Sequence, residues 1–218
     1  TLVFVSLLLA PVANLAAKIR APKGFTSLLN GKDLSNWYGW STRNPELLRK
    51  MSAAEQKAYK AKSREDIAKH WKIEGDVVVN DGHGLYLTTE REFANYELLI
   101  DYKTVPKADS GIYLRGCPQV QIWDPQQNPV GSGGLYNNQQ AESRPLVAAD
   151  HPVGQWNRFR ITMIDKSVTV QMNDKLVVDK IPLENYWQRG SDIPRSGQIE
   201  LQSHGSRLWF RNIRIFEL

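Results

Sequence analysis

Apolar and polar side chains alternate with a period of two along several stretches of this chain. In GQIELQSHG (197–205), Ile199 and Leu201 fall on one side, and Gln198, Glu200, Gln202 and His204 on the other. QVQIWD sets Val120 and Ile122 against Gln119, Gln121 and Trp123, while SGIYLRG sets Ile112 and Leu114 against Tyr113 and Arg115. In YELLIDYK, Leu98 and Ile100 oppose Glu97, Leu99 and Asp101. Successive side chains of a strand point to opposite faces, so each stretch predicts a strand with one aliphatic, buried side. Turn formers separate the runs: Asp81-Gly82, Pro106, Asn128-Pro129, the Gly-Ser-Gly-Gly of 131–134, and Asn173-Asp174. Residues 158–178 predict consecutive antiparallel strands that turn at Asp165-Lys166 and Asn173-Asp174. Regularly spaced strands without intervening helices predict an all-β, two-sheet antiparallel sandwich rather than a parallel α/β sheet.

Two segments break this pattern. Residues 44–69 are rich in Ala, Lys and Glu, lack Gly, and carry Pro45 near a helix start, which predicts one or two helices. Their apolar face is thin, so they read as a solvent-exposed surface insertion. The competing reading is a basic surface for an acidic partner. Residues 1–13 are an apolar run broken only by Ser6 and Pro11, the length of a signal-peptide core and too short to span a bilayer. With small residues at Ala16 and Ala17, this predicts a signal peptide over 1–17 and a single domain over 18–218, exported to the periplasm or beyond the cell. No stable membrane insertion is expected once that segment is removed.

Composition narrows the class further. A chain of 218 residues with 41% hydrophobic and 23% charged residues has the makeup of a folded domain rather than a disordered one. The single cysteine, Cys117, rules out an internal disulfide and a thiolate metal cluster. The net charge of +5 arises from Lys and Arg interleaved with Asp and Glu, which argues against nucleic acid as a partner.

The non-aliphatic side of the strands is where chemistry is expected. Its Gln, Tyr, Trp, Arg and His side chains differ from the Lys and Thr of an ordinary solvated face. Planar amides and guanidinium groups suit paired hydroxyls, and aromatic faces suit the C–H surfaces of sugars, so carbohydrate is the expected ligand. Trp123 is the best stacking candidate, and residues 125–149 are long enough to wall a pocket. Trp37, Trp71, Trp156 and Trp209 are expected in the core.

Several motifs carry a family resemblance. GFTSLLNGKDL (24–34) followed by Trp37, ADSGIYLRG (108–116), QVQIWD (119–124), GQWN (154–157), GQIELQSHG (197–205) and FRNIRI (210–215) resemble, in the same order, the 3-keto-disaccharide hydrolase domain family. The resemblance covers residues 24–218. It implies a concanavalin-A-like jelly-roll sandwich, usually exported by bacteria, that acts on 3-keto-disaccharides or 3-keto-glycosides. Two positions depart from the family pattern: Gln119 stands where Glu is common, and Asp109 where Asn is frequent.

Gln119 and Gln121 leave the strand that would carry a glucanase's carboxylates with amides instead, and only Asp124 lies at its end. A conventional two-carboxylate glycosidase mechanism is therefore disfavoured. A 3-keto sugar offers elimination, because the ketone acidifies the proton on carbon 2 and the glycosidic oxygen leaves from carbon 1. The expected roles are His204 or Asp124 as base, Arg115 as enolate stabiliser and Glu200 as acid. Tyr113, Gln119, Gln121, Trp123 and Gln202 are expected to bind substrate. No cofactor is called for. A divalent cation is conceivable on Asp124, Glu200 and His204, though no ligand spacing supports it. A non-catalytic lectin-like module of the same fold is the alternative.

Overall fold

A computed structural model of the chain describes residues 22–218. The expected signal peptide over 1–17 lies outside the described residues. In chain order the elements are β1 (Thr26–Ser27), β2 (Trp37–Trp40), α1 (Glu46–Arg49), α2 (Ala53–His70), β3 (Trp71–Glu74), β4 (Val77–Asn80), β5 (Tyr86–Thr89) and β6 (Tyr96–Thr104). They continue with β7 (Asp109–Leu114), β8 (Cys117–Trp123), β9 (Asn157–Ile164), β10 (Ser167–Met172), β11 (Lys175–Pro182), β12 (Glu200–Leu201) and β13 (Leu208–Glu217).

These strands form two antiparallel sheets. The larger has the order β11-β10-β9-β6-β13-β4-β3, with β1 also paired to β13, and the smaller has the order β2-β5-β12-β7-β8. The predicted run over 158–178 is β9, β10 and the start of β11. Its turns need left-handed backbone, which Asp165 (φ 51°), Asn173 (φ 47°) and Asp174 (φ 64°) supply.

The aliphatic sides meet between the sheets. Leu98, Ile100, Phe159, Ile161, Val170 and Phe210 of the large sheet share one buried cluster with Leu87, Ile112, Leu114, Val120, Ile122, Ile199 and Leu201 of the small sheet. Burying these side chains is the main drive for closing the sandwich. Trp37 and Trp71 are in this core, as expected, but Trp156 and Trp209 are not fully buried. They lie on the outside of the large sheet, where Lys103 sits over both rings and Arg211 over Trp156 at 4.0 Å. A strand-like neighbourhood did not reveal which face each indole takes.

The helical segment is more than a surface decoration. Ser52 and Glu55 form a reciprocal cap that starts α2. The helix then packs against β2 and β3, edge strands of the two sheets. Ser63 Oγ accepts from the Gly39 N–H at 3.0 Å, and Arg64 Nε donates to the Trp37 carbonyl at 3.1 Å. Polar side chains of α2 thereby satisfy backbone groups of an exposed sheet edge. Gly39 permits this approach, since a Cβ there would crowd Ser63 Cβ at 3.2 Å as well as Leu85 Cδ1 at 2.7 Å. The apolar face is thin because docking combines one core residue, Ile67, with small and polar residues. Leu48 of α1 packs with Tyr38 and Trp40, so the insertion also roofs the β2 end of the small sheet.

Candidate active site

The outer face of the small sheet collects most of the predicted site residues, because alternation turns their aliphatic neighbours inward. Cross-strand register sets them in rows. Glu200 on the central strand β12 lies opposite Thr88 on β5 and Tyr113 on β7. One row on, the Gln202 N–H donates to the Gly111 carbonyl at 3.0 Å, and Gly111 in turn pairs with Gln121 on β8. Asp109 lies opposite Trp123 in the next row.

Hydrogen bonds tie the face together. Gln119 Nε2 donates to Gln121 Oε1, and Gln121 Nε2 donates to Asp109 Oδ1 at 2.7 Å. Asp109 Oδ2 faces Nδ1 of the exposed His204 at 3.5 Å. On the other flank, Gln202 Nε2 donates to the Tyr86 hydroxyl at 3.1 Å, and that hydroxyl also meets Thr42 Oγ1. Tyr86 and Tyr113 stack edge to face at 5.5 Å. At the far end, Glu92 accepts from Arg49, Ser196 and Gln198. Burial works against its charge, but the Ser196 and Arg49 bonds keep its carboxyl below the ordinary value.

Three buried oxygens on this face have no hydrogen-bond partner: Gln119 Oε1, Glu200 Oε2 and Gln202 Oε1. Buried polar atoms are nearly always paired, so three on one face, from β8 and the β12 segment on the two sides of β7, mark a place for a ligand's polar groups. Glu200 is 1% exposed, and burial pushes its carboxyl up to about 8 against the opposing bond from Thr88. At neutral pH it is mainly protonated, so it holds a proton to give. Burial likewise raises the Tyr113 hydroxyl well above the ordinary tyrosine value, so it stays a neutral donor.

Two predicted catalytic residues are built into the frame instead. Arg115 sits in the β7–β8 turn with φ 54°, which takes its side chain out of the strand alternation. Its guanidinium donates to the Ala94 and Pro194 carbonyls at 2.8 and 3.2 Å and to Asn95 Oδ1 at 2.9 Å, beside the start of β6 in the other sheet. Arg115 is thus a buried clamp rather than an enolate stabiliser. Asp124 accepts from the backbone N–H of Lys107 and of Gln126 at 2.6 and 2.8 Å, which occupies both its oxygens in shaping a turn rather than acting as a base. Among the described residues, no group of three or more His, Cys, Asp or Glu side chains could hold a metal ion, so Asp124, Glu200 and His204 do not form a cation site. Tyr86, Thr88, Arg49 and Glu92 were missed. Alternation in YLTT (86–89) is a signal for the first two, but nothing local brings α1 or Glu92 to this face.

Beyond the edge strand β8, a cavity of about 450 Å³ is lined by Gln121, Trp123 and the segment that follows, including Tyr136. No helix among the described residues is long and apolar enough to cross a membrane.

Residues 24–216 match the model of the 3-keto-alpha-glucoside-1,2-lyase-like domain. The chain belongs to that family. A 3-keto-disaccharide hydrolase of Bacteroides thetaiotaomicron is 24% identical over 88% of this chain and 78% of its own length. A crystal structure of a provisionally assigned glycosyl hydrolase from Parabacteroides distasonis is 27% identical, with a TM-score of 0.64 over 91% of this chain and 85% of its own. A second such structure from that organism, 20% identical, shares the fold with a TM-score of 0.61 over 89% of this chain and 94% of its own. The names of these relatives and the family match support a carbohydrate-active, glycosidase-type enzyme, and this chain has the same sandwich.

Proposed function

We propose that the protein cleaves the glycosidic bond of 3-keto-disaccharides or 3-keto-glycosides by elimination across carbons 1 and 2, followed by hydration. The observation that carries this reading is the set of three unpartnered oxygens on Gln119, Glu200 and Gln202. Hydroxyl groups of a sugar ring supply donors to the two amide oxygens, and the glycosidic oxygen is the acceptor for the protonated Glu200.

The roles follow from charge and position. His204, steadied by Asp109, takes the proton from carbon 2 of the 3-keto ring. The Tyr113 hydroxyl hydrogen-bonds the developing enolate oxygen, which places a fixed dipole where charge appears. The enolate electron pair forms the bond between carbons 1 and 2, the bond from carbon 1 to the leaving oxygen breaks, and that oxygen takes the proton of Glu200. Addition of water returns hydroxyl to carbon 1 and a proton to carbon 2, giving the free 3-keto sugar. Gln119, Gln121 and Gln202 orient the ring. Export to the periplasm or the exterior fits an enzyme that meets glycosides outside the cytoplasm, and belongs to the same proposal.

Gln119, standing where the family commonly has Glu, favours a second reading: a sugar-binding module without turnover. Mass spectrometry on the purified protein with a 3-keto disaccharide and its unoxidised parent separates the two. Release of the free sugar from the keto substrate alone supports catalysis; binding without product supports the module.

A further inference from the structure

The cavity beyond β8 adjoins the row of side chains proposed to face the 3-keto ring. Gln121 belongs to both: its amide links Asp109 and Gln119 on the outer face, and it lines the cavity wall. Trp123 and Tyr136 supply aromatic surface there, with ring centroids 5.0 Å apart and nearly perpendicular. Tyr136 is 55% exposed, so its ring remains open to solvent beside Trp123. The volume lies within the range of small-ligand sites.

The walls are held in place before any ligand arrives. Gly133 donates to the Gln121 carbonyl at 2.8 Å, and Gly134 accepts from the Gln121 N–H at 2.9 Å, so the segment runs alongside β8. Ser132 Oγ accepts from the Trp123 N–H at 2.9 Å, and Asp150 accepts from the Ser132 N–H at 2.9 Å. Glu184 accepts from three successive backbone N–H groups, those of Gln139, Gln140 and Ala141. A stretch without regular secondary structure is thereby made rigid, which suits a binding wall.

The two neighbouring spaces differ in chemistry. The outer face presents unpartnered oxygens that read hydroxyl positions. The cavity presents the Trp123 and Tyr136 rings, set nearly at right angles, beside the polar side chains of Asn128, Ser143 and Arg144, so it offers an aromatic surface for the C–H side of a pyranose and groups for its hydroxyls.

We infer that this cavity is the subsite for the leaving group, taking a second pyranose ring against Trp123 and Tyr136. The inference rests on the catalytic reading above. It makes the protein favour a substrate whose oxidised ring carries a second pyranose over one that carries a small alkyl group.

Steady-state kinetics on two substrates with the same oxidised ring tests it: a 3-keto disaccharide and the corresponding 3-keto methyl glycoside. For Tyr136→Ala, the ratio of kcat/KM for the disaccharide to that for the methyl glycoside is expected to fall about three- to tenfold, the value of one aromatic stacking contact. Trp123→Leu is expected to shift the ratio the same way, while Trp123→Phe, which keeps a ring, restores most of it. An unchanged ratio in both Tyr136→Ala and Trp123→Leu overturns the subsite while leaving the catalytic reading intact. Absence of turnover of either substrate by the wild-type protein overturns the catalytic reading, and the subsite with it.

Discussion

The amide of Gln119 lies over Gly111: a Cβ at position 111 would come within 2.5 Å of the Gln119 amide carbon and of its oxygen. The missing side chain on β7 is what lets a residue of β8 reach over its neighbour toward Gln202 on β12. Gly111 has no positive φ, so its role is space rather than backbone freedom.

Gly111→Ala therefore displaces one of the three unpartnered oxygens. Activity on a 3-keto glycoside is expected to drop at least tenfold, with a stability loss of about 1–3 kcal/mol typical of overpacking. Paired measurements of kcat/KM and urea unfolding check this. An unaltered KM and kcat would mean that the Gln119 amide does not touch substrate.

Glu200 gives a prediction in pH. An ordinary glutamate titrates near 4.5, and burial holds this one at about 8. Below pH 4.5 both folded and unfolded chains are protonated there, so nothing is lost. Between about 4.5 and 8 the unfolded chain releases the proton while the folded one keeps it, so stability falls as pH rises and levels off above 8. Glu200→Gln is expected to remove that decline, raising Tm at pH 8.5 relative to wild type. It also removes the proton donor, so kcat is expected to fall about 100-fold or more. In the wild type, kcat is expected to fall as pH passes about 8.

His204 is exposed, with its Nδ1 3.5 Å from Asp109 Oδ2. His204→Ala is expected to leave Tm within about 1 °C, because exposed side chains contribute little to stability, while lowering kcat about 100-fold. A substrate deuterated at carbon 2 is expected to slow the wild-type reaction. No isotope effect in a single-turnover measurement would assign the proton abstraction elsewhere or place another step in control.

Arg115 carries the opposite expectation. Arg115→Ala leaves the Ala94 and Pro194 carbonyls and Asn95 without their charged donor, a loss on the order of 3 kcal/mol. Thermal unfolding should register it strongly, and kcat per folded molecule should change less than twofold. A stable protein with lost turnover would restore Arg115 to the site.

The contrast between His204 and Arg115 shows how far the sequence could be read. Alternation sorted Gln119, Gln121, Gln198, Glu200 and Gln202 onto one face because an unbroken strand has only two sides. Arg115 escaped that logic because it occupies a turn with left-handed backbone. Alternation is also silent on which sheet a strand joins. The polar side of β6, with Glu97 and Asp101, belongs to the large sheet and faces away from the site; there Asp101 is held by Arg158, Arg211 and Asn212. The role of α2 was hidden for a related reason, since its docking is written in Ser63, Arg64, a facing Gly39 and the single core residue Ile67 rather than in a broad apolar stripe.

The division of labour between β8 and the segment after it has a consequence for which residues can change. The segment is anchored by carboxylates that grip peptide N–H groups, and such anchors are indifferent to the side chains they pass. Side chains around Tyr136 can therefore be exchanged without loosening the backbone that carries them, which makes this wall the place where the size and polarity of the cavity can be altered with least cost to the sheet.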